Sequence, residues 1–540
     1  MLNARDDPEA QRLAQAAAQA FARGDRAGAA DLARQLLVRR PGDARARHLL
    51  GVIALDAGDA AAARRHLEAA AAALPEDAGV ANALGVALRM LGELDAARAA
   101  YVRAGGRGLI DGWRNLGALE LTAKNFEASI AAYQRALTIA PRDADANAQL
   151  AHIFETRHDL ESAKRHAEAA LAADPANVVA GVALARVLVR EKDFAGAERA
   201  ALPAAQSQRA SRNDRSGAWG VIGDARDLAG DARGAFQAFT AANQLRLADH
   251  VAMRDAEAHL YHPSGVRRMR DLVAQTDAAA WRSRVESAHP APVFLVGFPR
   301  SGTTLLDQIL SSHPLLMCLE EKEYLSVALA SVFTSADKLG AMHGLSADEI
   351  ETVRAAYWRD VRAQNDIPAG GLIIDKLPLN IVVLPLIKAV FPDAKIIFAL
   401  RDPRDVILSC YQQRFGMNVG MAQFLELERA AQYYDVVMDL MMLCRARLDL
   451  DLHQVRYEEV VGDLESAARE LTAFIGVPYD AAMLNYRETA LKRDITTPSA
   501  RQVIQPLYAR SISRWRRYAE DMAPVLPLLD AWAVRFGYDA

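Results

Sequence analysis

Between Val293 and Leu305 the chain reads Val-Phe-Leu-Val-Gly-Phe-Pro-Arg-Ser-Gly-Thr-Thr-Leu, a set of glycine, hydroxyl and guanidinium groups suited to holding an anion. The apolar run ends at Gly297, a turn carries Pro299, Ser301 and Gly302, and Leu305, Leu306, Ile309 and Leu310 follow at helical spacing. The segment therefore predicts a strand, a tight loop and a helix. Gly302 lets the backbone approach a ligand, successive N–H groups can converge on its oxygens, and the helix N-terminus adds positive potential. Arg300, Ser301, Thr303 and Thr304 supply further donors, so the expected occupant is a phosphate. A corner without a ligand would show the same strand, turn and helix, but would have no use for the ordered hydroxyls and the arginine.

The spacing nearly matches the GxxxxGK[ST] loop of nucleotide hydrolases, yet Gly302 is followed by Thr303 instead of lysine, and the cation, Arg300, lies inside the loop. That speaks against ordinary ATP or GTP hydrolysis, in which the lysine reaches the β- and γ-phosphates. A second phosphate signal is Ala394-Lys-Ile-Ile-Phe-Ala-Leu-Arg401-Asp-Pro-Arg404-Asp-Val-Ile-Leu-Ser409. A strand ends at Arg401, Pro403 suits a first helical turn, and Ser409 follows about two turns on, so a guanidinium and a hydroxyl can meet at one dianion. Alone, the run Arg-Asp-Pro-Arg-Asp would read as surface ion pairing. After an anion cradle, at the end of another strand, it reads as a second anion site.

The run FPRSGTTLLDQILSSHP, residues 298–314, resembles the 5′-phosphosulfate loop of the sulfotransferases, and the segment as a whole is closest to the protein-tyrosine sulfotransferases. The resemblance implies 3′-phosphoadenylyl sulfate (PAPS) as sulfuryl donor and no metal. It assigns the 5′-phosphosulfate to Arg300, Ser301, Gly302, Thr303 and Thr304, and the 3′-phosphate to Arg401 and Ser409, eight positions apart. Three acids, Glu320, Glu321 and Glu323, are candidate bases; the family's base stands 21 positions after the loop arginine, and that register selects Glu321. Lys376, closing the predicted strand Leu-Ile-Ile-Asp375-Lys376, matches the lysine that stabilises charge on the bridging oxygen. Ser499 matches a serine that aids the leaving group. Tyr508 falls within the same cofactor-covering loop, Arg514 before Trp515 replaces a phosphate-holding lysine, and Tyr457 stands where the family contacts adenine. A further phosphate arginine of the family falls on Gln413 here, with Arg414 next to it. These matches run from Val293 to Trp515.

The elements that carry these residues form the second half of a chain of 540 residues, 51% hydrophobic and 24% charged, which is ordinary for globular protein. A net charge of −4 provides no global basic field, so nucleic acid is not an expected partner. Cys318, Cys410 and Cys444 lack zinc-ligand spacing and read as buried small hydrophobes in a reducing compartment. The first residues carry acids where a signal peptide needs an apolar stretch, and no apolar run has spanning length, so the expectation is a cytoplasmic protein without a membrane partner.

Residues 1–250 are rich in Ala, Leu, Arg, Asp and Glu at helical spacing, and they repeat. Turns at Gly24, Gly58, Gly92, Asn125, His158, Lys192 and Gly230 fall 34, 34, 33, 33, 34 and 38 residues apart, and Pro41, Pro75, Pro141 and Pro175 mark repeat ends. Small residues Gly51, Gly85, Gly117 and Ala151 permit close helix contact. The segment Trp113-Arg-Asn-Leu-Gly117 onward resembles the tetratricopeptide (TPR) repeat, which implies an α-solenoid of about seven repeats that binds a protein or peptide, or else supports assembly. The period fades over residues 251–288, a helical junction. From residue 289 to 540, apolar runs at Pro292–Gly297, Gly371–Ile374, Ala394–Leu400 and Leu450–Tyr457 alternate with helical stretches, as in a P-loop-like α/β domain around a parallel sheet.

The expected protein is thus a TPR-like α-solenoid followed by a sulfotransferase-like α/β domain, taking PAPS and a hydroxyl acceptor, with the acceptor presented on a protein or peptide held by the repeats. Two alternatives stand beside it: an ATP-dependent P-loop kinase using Asp375 for magnesium, and an interaction scaffold with a nucleotide-binding domain.

Overall fold

The computed structural model describes residues 7–282, 290–319, 321–330, 342–367, 370–492 and 512–539. The chain divides into two compact units, Met1–Val221 and Ile222–Ala540.

The first unit consists of helices in antiparallel pairs, such as Ala44–Asp56 with Ala60–Ala73, Ala78–Met90 with Leu94–Gly106, and Ile110–Thr122 with Phe126–Ile139. Aspartate begins most of them: the carboxylates of Asp43, Asp59, Asp77, Asp143, Asp159 and Asp193 each accept the N–H three residues on, at the helix end where anions are favoured. The turn inside each pair has one residue in the left-handed region. Gly24, Gly58 and Gly92 take it at φ of 83°, 77° and 80°, and Lys124, His158 and Lys192 at 60°, 65° and 64°. The turn position in the fourth pair is therefore Lys124, one residue before the expected Asn125. The expected small residues do seat the partner helix: a Cβ on Gly85 or Gly117 would lie 2.6 Å from Tyr101 or 2.7 Å from Tyr133. Gly108, at φ 86°, takes the left-handed region at a repeat boundary that lacks a proline.

Among the described residues, the second unit is built on a sheet of five strands, β1 Val293–Gly297, β2 Leu316–Leu319, β3 Leu372–Lys376, β4 Lys395–Leu400 and β5 Asp451–Arg456, in the order β2-β3-β1-β4-β5. Every pairing is parallel. Four of these strands are the expected ones; β2 is the addition, a four-residue edge strand too short to announce itself between His313-Pro314 and the acids that follow. Alternation sends Phe294, Val296, Phe398 and Leu400 into one core and Val293, Leu295, Ile397 and Ala399 into the other, so helices cover both faces.

By compactness the chain divides at Val221/Ile222, inside the helix Arg212–Ala229. Ala235 and Phe239 of the helix Ala232–Arg254, and Val266, Met269 and Val273 of Pro263–Gln275, are buried in the core of the second unit. Asn243 Nδ2 donates to the Tyr411 carbonyl at 2.8 Å, and the Tyr411 hydroxyl donates to Thr240 Oγ1 at 2.9 Å. The repeat period fades there because these helices answer to the sheet domain's core. Among the described residues, no helix is long and apolar enough to cross a membrane.

Candidate active site

Strand order determines where a ligand can sit. β1 and β4 are neighbours, but the chain leaves β1 toward β2 on one side of the sheet and leaves β4 toward β5 on the other. Such a reversal opens a crevice beyond the strand ends. Gly297 pairs with Ala399, so the loops starting at Phe298 and Arg401 are adjacent.

The first loop turns into the helix Thr303–Ser311 through two residues in the left-handed region, Arg300 at φ 71° and Gly302 at φ 100°. Gly302 is required twice over: its backbone conformation disfavours a side chain, and a Cβ would lie 2.8 Å from the Tyr457 ring. At Gly297 a Cβ would meet Ser301 Oγ at 2.6 Å. Ser301, Thr303 and Thr304 are buried, and Ser301 Oγ has no hydrogen-bond partner among the described residues.

Two arginines meet here. Arg300 Nε donates to Ser409 Oγ at 2.9 Å, while Arg401 Nη1 donates to the Arg300 carbonyl at 3.2 Å and its guanidinium lies 4.8 Å from the Tyr457 ring centre. Burial, with Arg401 adding repulsion, pushes the Arg300 guanidinium down to about 10. Like charges gathered at a buried loop favour an anion beside them.

A second cluster lies at the ends of β2 and β3. Leu319 pairs with Asp375, which sets Glu321 just beyond the edge strand next to Lys376. Lys376 is fully buried, and its Nζ donates to Glu321 Oε1 at 2.8 Å. Glu323 is exposed at the start of the helix Tyr324–Ala330. Alternation turns Asp375 to the opposite face, where it accepts from the Tyr357 hydroxyl at 3.0 Å and Asn380 Nδ2 at 3.4 Å. Burial pushes its carboxyl up to about 7. His313 is structural: Nε2 donates to the Pro478 carbonyl at 2.8 Å, while Nδ1 accepts from Leu315 N.

The structure thus brings Arg300, Ser301, Gly302, Arg401, Ser409 and Tyr457 together, and Glu321 with Lys376. Glu320, Ser499 and Tyr508 lie outside the described residues. Arg514 donates to Asp227 Oδ2 at 2.8 Å, and Arg414 stands near buried Arg246, whose guanidinium burial lowers to about 10.

Two residues outside the sequence-derived set tie the last segment down. Asp405 accepts Ser513 N at 2.7 Å and Trp515 N at 2.8 Å, with burial pushing its carboxyl up to about 6 against the pull of Arg401. Arg404 is held by both oxygens of Asp402, reaches Asp530 Oδ1 at 3.0 Å, and stacks 4.2 Å from the Trp515 ring centre. The second arginine of Arg-Asp-Pro-Arg-Asp is a clamp, and its doubled acidic flank was the available signal.

Residues 292–481 match the sulfotransferase family model, and residues 110–143 a tetratricopeptide repeat model. Over 251 residues the chain is 31% identical to an uncharacterized protein of Aquifex aeolicus, covering 45% of this chain and 33% of that one. It is 26% identical to a protein-tyrosine sulfotransferase of Drosophila melanogaster over 46% of this chain and 51% of that one, and 26% identical to protein-tyrosine sulfotransferase 1 of Danio rerio over 46% and 72%. The match thus spans a third to a half of the first two relatives. Among solved structures, the sulfotransferase domain of the Synechococcus PCC 7002 olefin synthase is 22% identical, covering 48% of this chain and 100% of that one at a TM-score of 0.32. Residues 292–481 are therefore a sulfotransferase-family domain in a chain that also carries a tetratricopeptide repeat.

Proposed function

We propose that the chain is a PAPS-dependent sulfotransferase that sulfates a hydroxyl on a protein or peptide held by its repeats. The observation that carries this reading is the meeting of Arg300, Arg401 and Ser409 at one buried loop beside the Ser301 hydroxyl, which has no partner among the described residues. These residues fit a donor with phosphate at both ends. Arg300, Ser301, Thr303 and Thr304 would hold the 5′ end, Arg401 and Ser409 the 3′-phosphate, and Tyr457 the base. When bound, the donor supplies an activated sulfuryl group.

Glu321 takes the acceptor's hydroxyl proton. Its Oε1 is engaged by Lys376, which leaves Oε2 for that proton. Lys376, donating from a buried site, stabilises negative charge where the bond to the leaving oxygen weakens. Crevice walls from the two loops orient both partners, which is the larger part of such a reaction's requirement. Arg514 and the segment before it, with Ser499 and Tyr508, complete the donor site in this reading.

The kinase alternative loses support because Asp375 faces Tyr357 and Asn380, away from Lys376 and Glu321. Adenosine 3′,5′-bisphosphate should raise the melting temperature without magnesium, and ATP should do little. Extract incubated with radiolabelled PAPS and the protein should yield a labelled macromolecule. Equal stabilisation by ATP with a strict magnesium requirement would overturn the reading, and label found only in small molecules would remove the protein acceptor.

A further inference from the structure

Asp227 stands near the end of the helix Arg212–Ala229, in a part of the chain that reads as an ordinary repeat turn. Its carboxylate gathers donors from one short stretch. Oδ2 accepts Arg514 Nη2 at 2.8 Å, Oδ1 accepts the Tyr518 hydroxyl at 2.5 Å, and Arg517 Nη2 lies 3.4 Å from Oδ1 while donating to the Asp227 carbonyl at 2.8 Å. The Asp227 side chain is 12% exposed and that of Arg514 25%, so the pair is largely shielded from water. The backbone on either side of Arg514 is fixed as well, since Asp405 accepts Ser513 N and Trp515 N and Ser513 adopts φ 56°. Asp405 belongs to the helix Pro403–Gln412, which also carries Ser409. Arg514 in turn is close enough to Arg300 to add to the repulsion there.

We infer that Asp227 is a positioning residue for the donor site: it holds the Arg514 guanidinium where it can meet the bound donor's phosphate. A long arginine side chain loses much rotamer freedom when it binds an anion, and a carboxylate that has already ordered it removes part of that cost. Asp227 itself touches no donor atom. This rests on the proposed sulfotransferase reading, since it needs a phosphate near Arg514.

The test is a double-mutant cycle on the full-length protein, with adenosine 3′,5′-bisphosphate as the probe and binding read by calorimetry. Arg514→Ala should weaken binding roughly tenfold to a hundredfold, the range for a lost charged hydrogen bond. Asp227→Ala should weaken it by about tenfold, and the double variant should bind no worse than Arg514→Ala alone, because Asp227 acts only through that arginine. Asp227→Asn, which keeps an acceptor for Tyr518, serves if the alanine variant melts below the assay temperature and should fall between wild type and Asp227→Ala. Unchanged or tighter binding in Asp227→Asn, additive losses in the double variant, or no effect of Arg514→Ala would each overturn the inference. Failure of the wild-type protein to bind the bisphosphate would instead remove the sulfotransferase reading.

Discussion

Lys376 and Glu321 form an ion pair of 2.8 Å in which the lysine is fully buried and the glutamate side chain 30% exposed. Removing the acid strands a buried cation, so a change at Glu321 acts on stability and on rate. Glu321→Gln, whose carbonyl still accepts from Lys376, should lower turnover ~10²- to 10⁴-fold, the range of general base catalysis, while the melting temperature falls less than in Glu321→Ala. Bisphosphate affinity should be retained in both, and Glu323→Ala should stay near wild type. Turnover that tracks Glu323 would reassign the base.

Arg401 donates to the loop carbonyl of Arg300 and lies over Tyr457, so it shapes the cradle and faces its ligand together. Arg401→Ala should weaken bisphosphate binding by about 1.5–3 kcal/mol. Titration calorimetry reads this directly, and unchanged affinity would take Arg401 out of the donor site.

A Cβ at Gly302 meets both a φ of 100° and the Tyr457 ring at 2.8 Å. Gly302→Ala should therefore abolish measurable donor binding and destabilise the fold by roughly 1–3 kcal/mol, the scale of an enforced left-handed residue plus a displaced ring. Thermal melts with and without bisphosphate separate the two effects. Wild-type affinity would show that the loop relaxes at no cost.

Asp375 carries a carboxyl raised to about 7, above its unfolded value near 3.9. Between those two values the folded state binds more protons than the unfolded one, so stability falls as pH rises from about 4 through 7. Asp375→Asn resembles the protonated form and still offers Tyr357 an oxygen. Its melting temperature should drop less than that of wild type between pH 5 and pH 8. Parallel curves would mean that another group governs the pH dependence.

The loop at Arg300 and the strand-to-helix turn after Arg401 were legible because each follows from short-range rules: an apolar strand that stops, a glycine or proline, a helix start; that Ser409 accepts from Arg300 was not. Lys376 and Glu321 were legible only through family register, since their meeting depends on β2, which four residues do not declare. The acidic flank of Arg404 hints at an ion pair but not at its distant partner, and Asp227 carries no local signal. Both act through contacts more than a hundred residues distant in sequence, Arg404 with Asp530 and Asp227 with Arg514, and no local pattern encodes such a partner. In the fourth pair the left-handed residue is Lys124 and not Asn125, although asparagine tolerates that region better than lysine.

The division at Val221/Ile222 runs through one continuous helix, and the residues just after it include Asp227, Phe239 and Asn243, all committed to the second unit. Modules joined by a loop can be exchanged by recombination at any point in the loop, whereas here a crossover anywhere between about residues 222 and 275 would cut into the sheet domain's own core. Gain or loss of repeats over evolution is thereby confined to positions ahead of Arg212, and a grafted array must supply a helix that continues in register into Asp227.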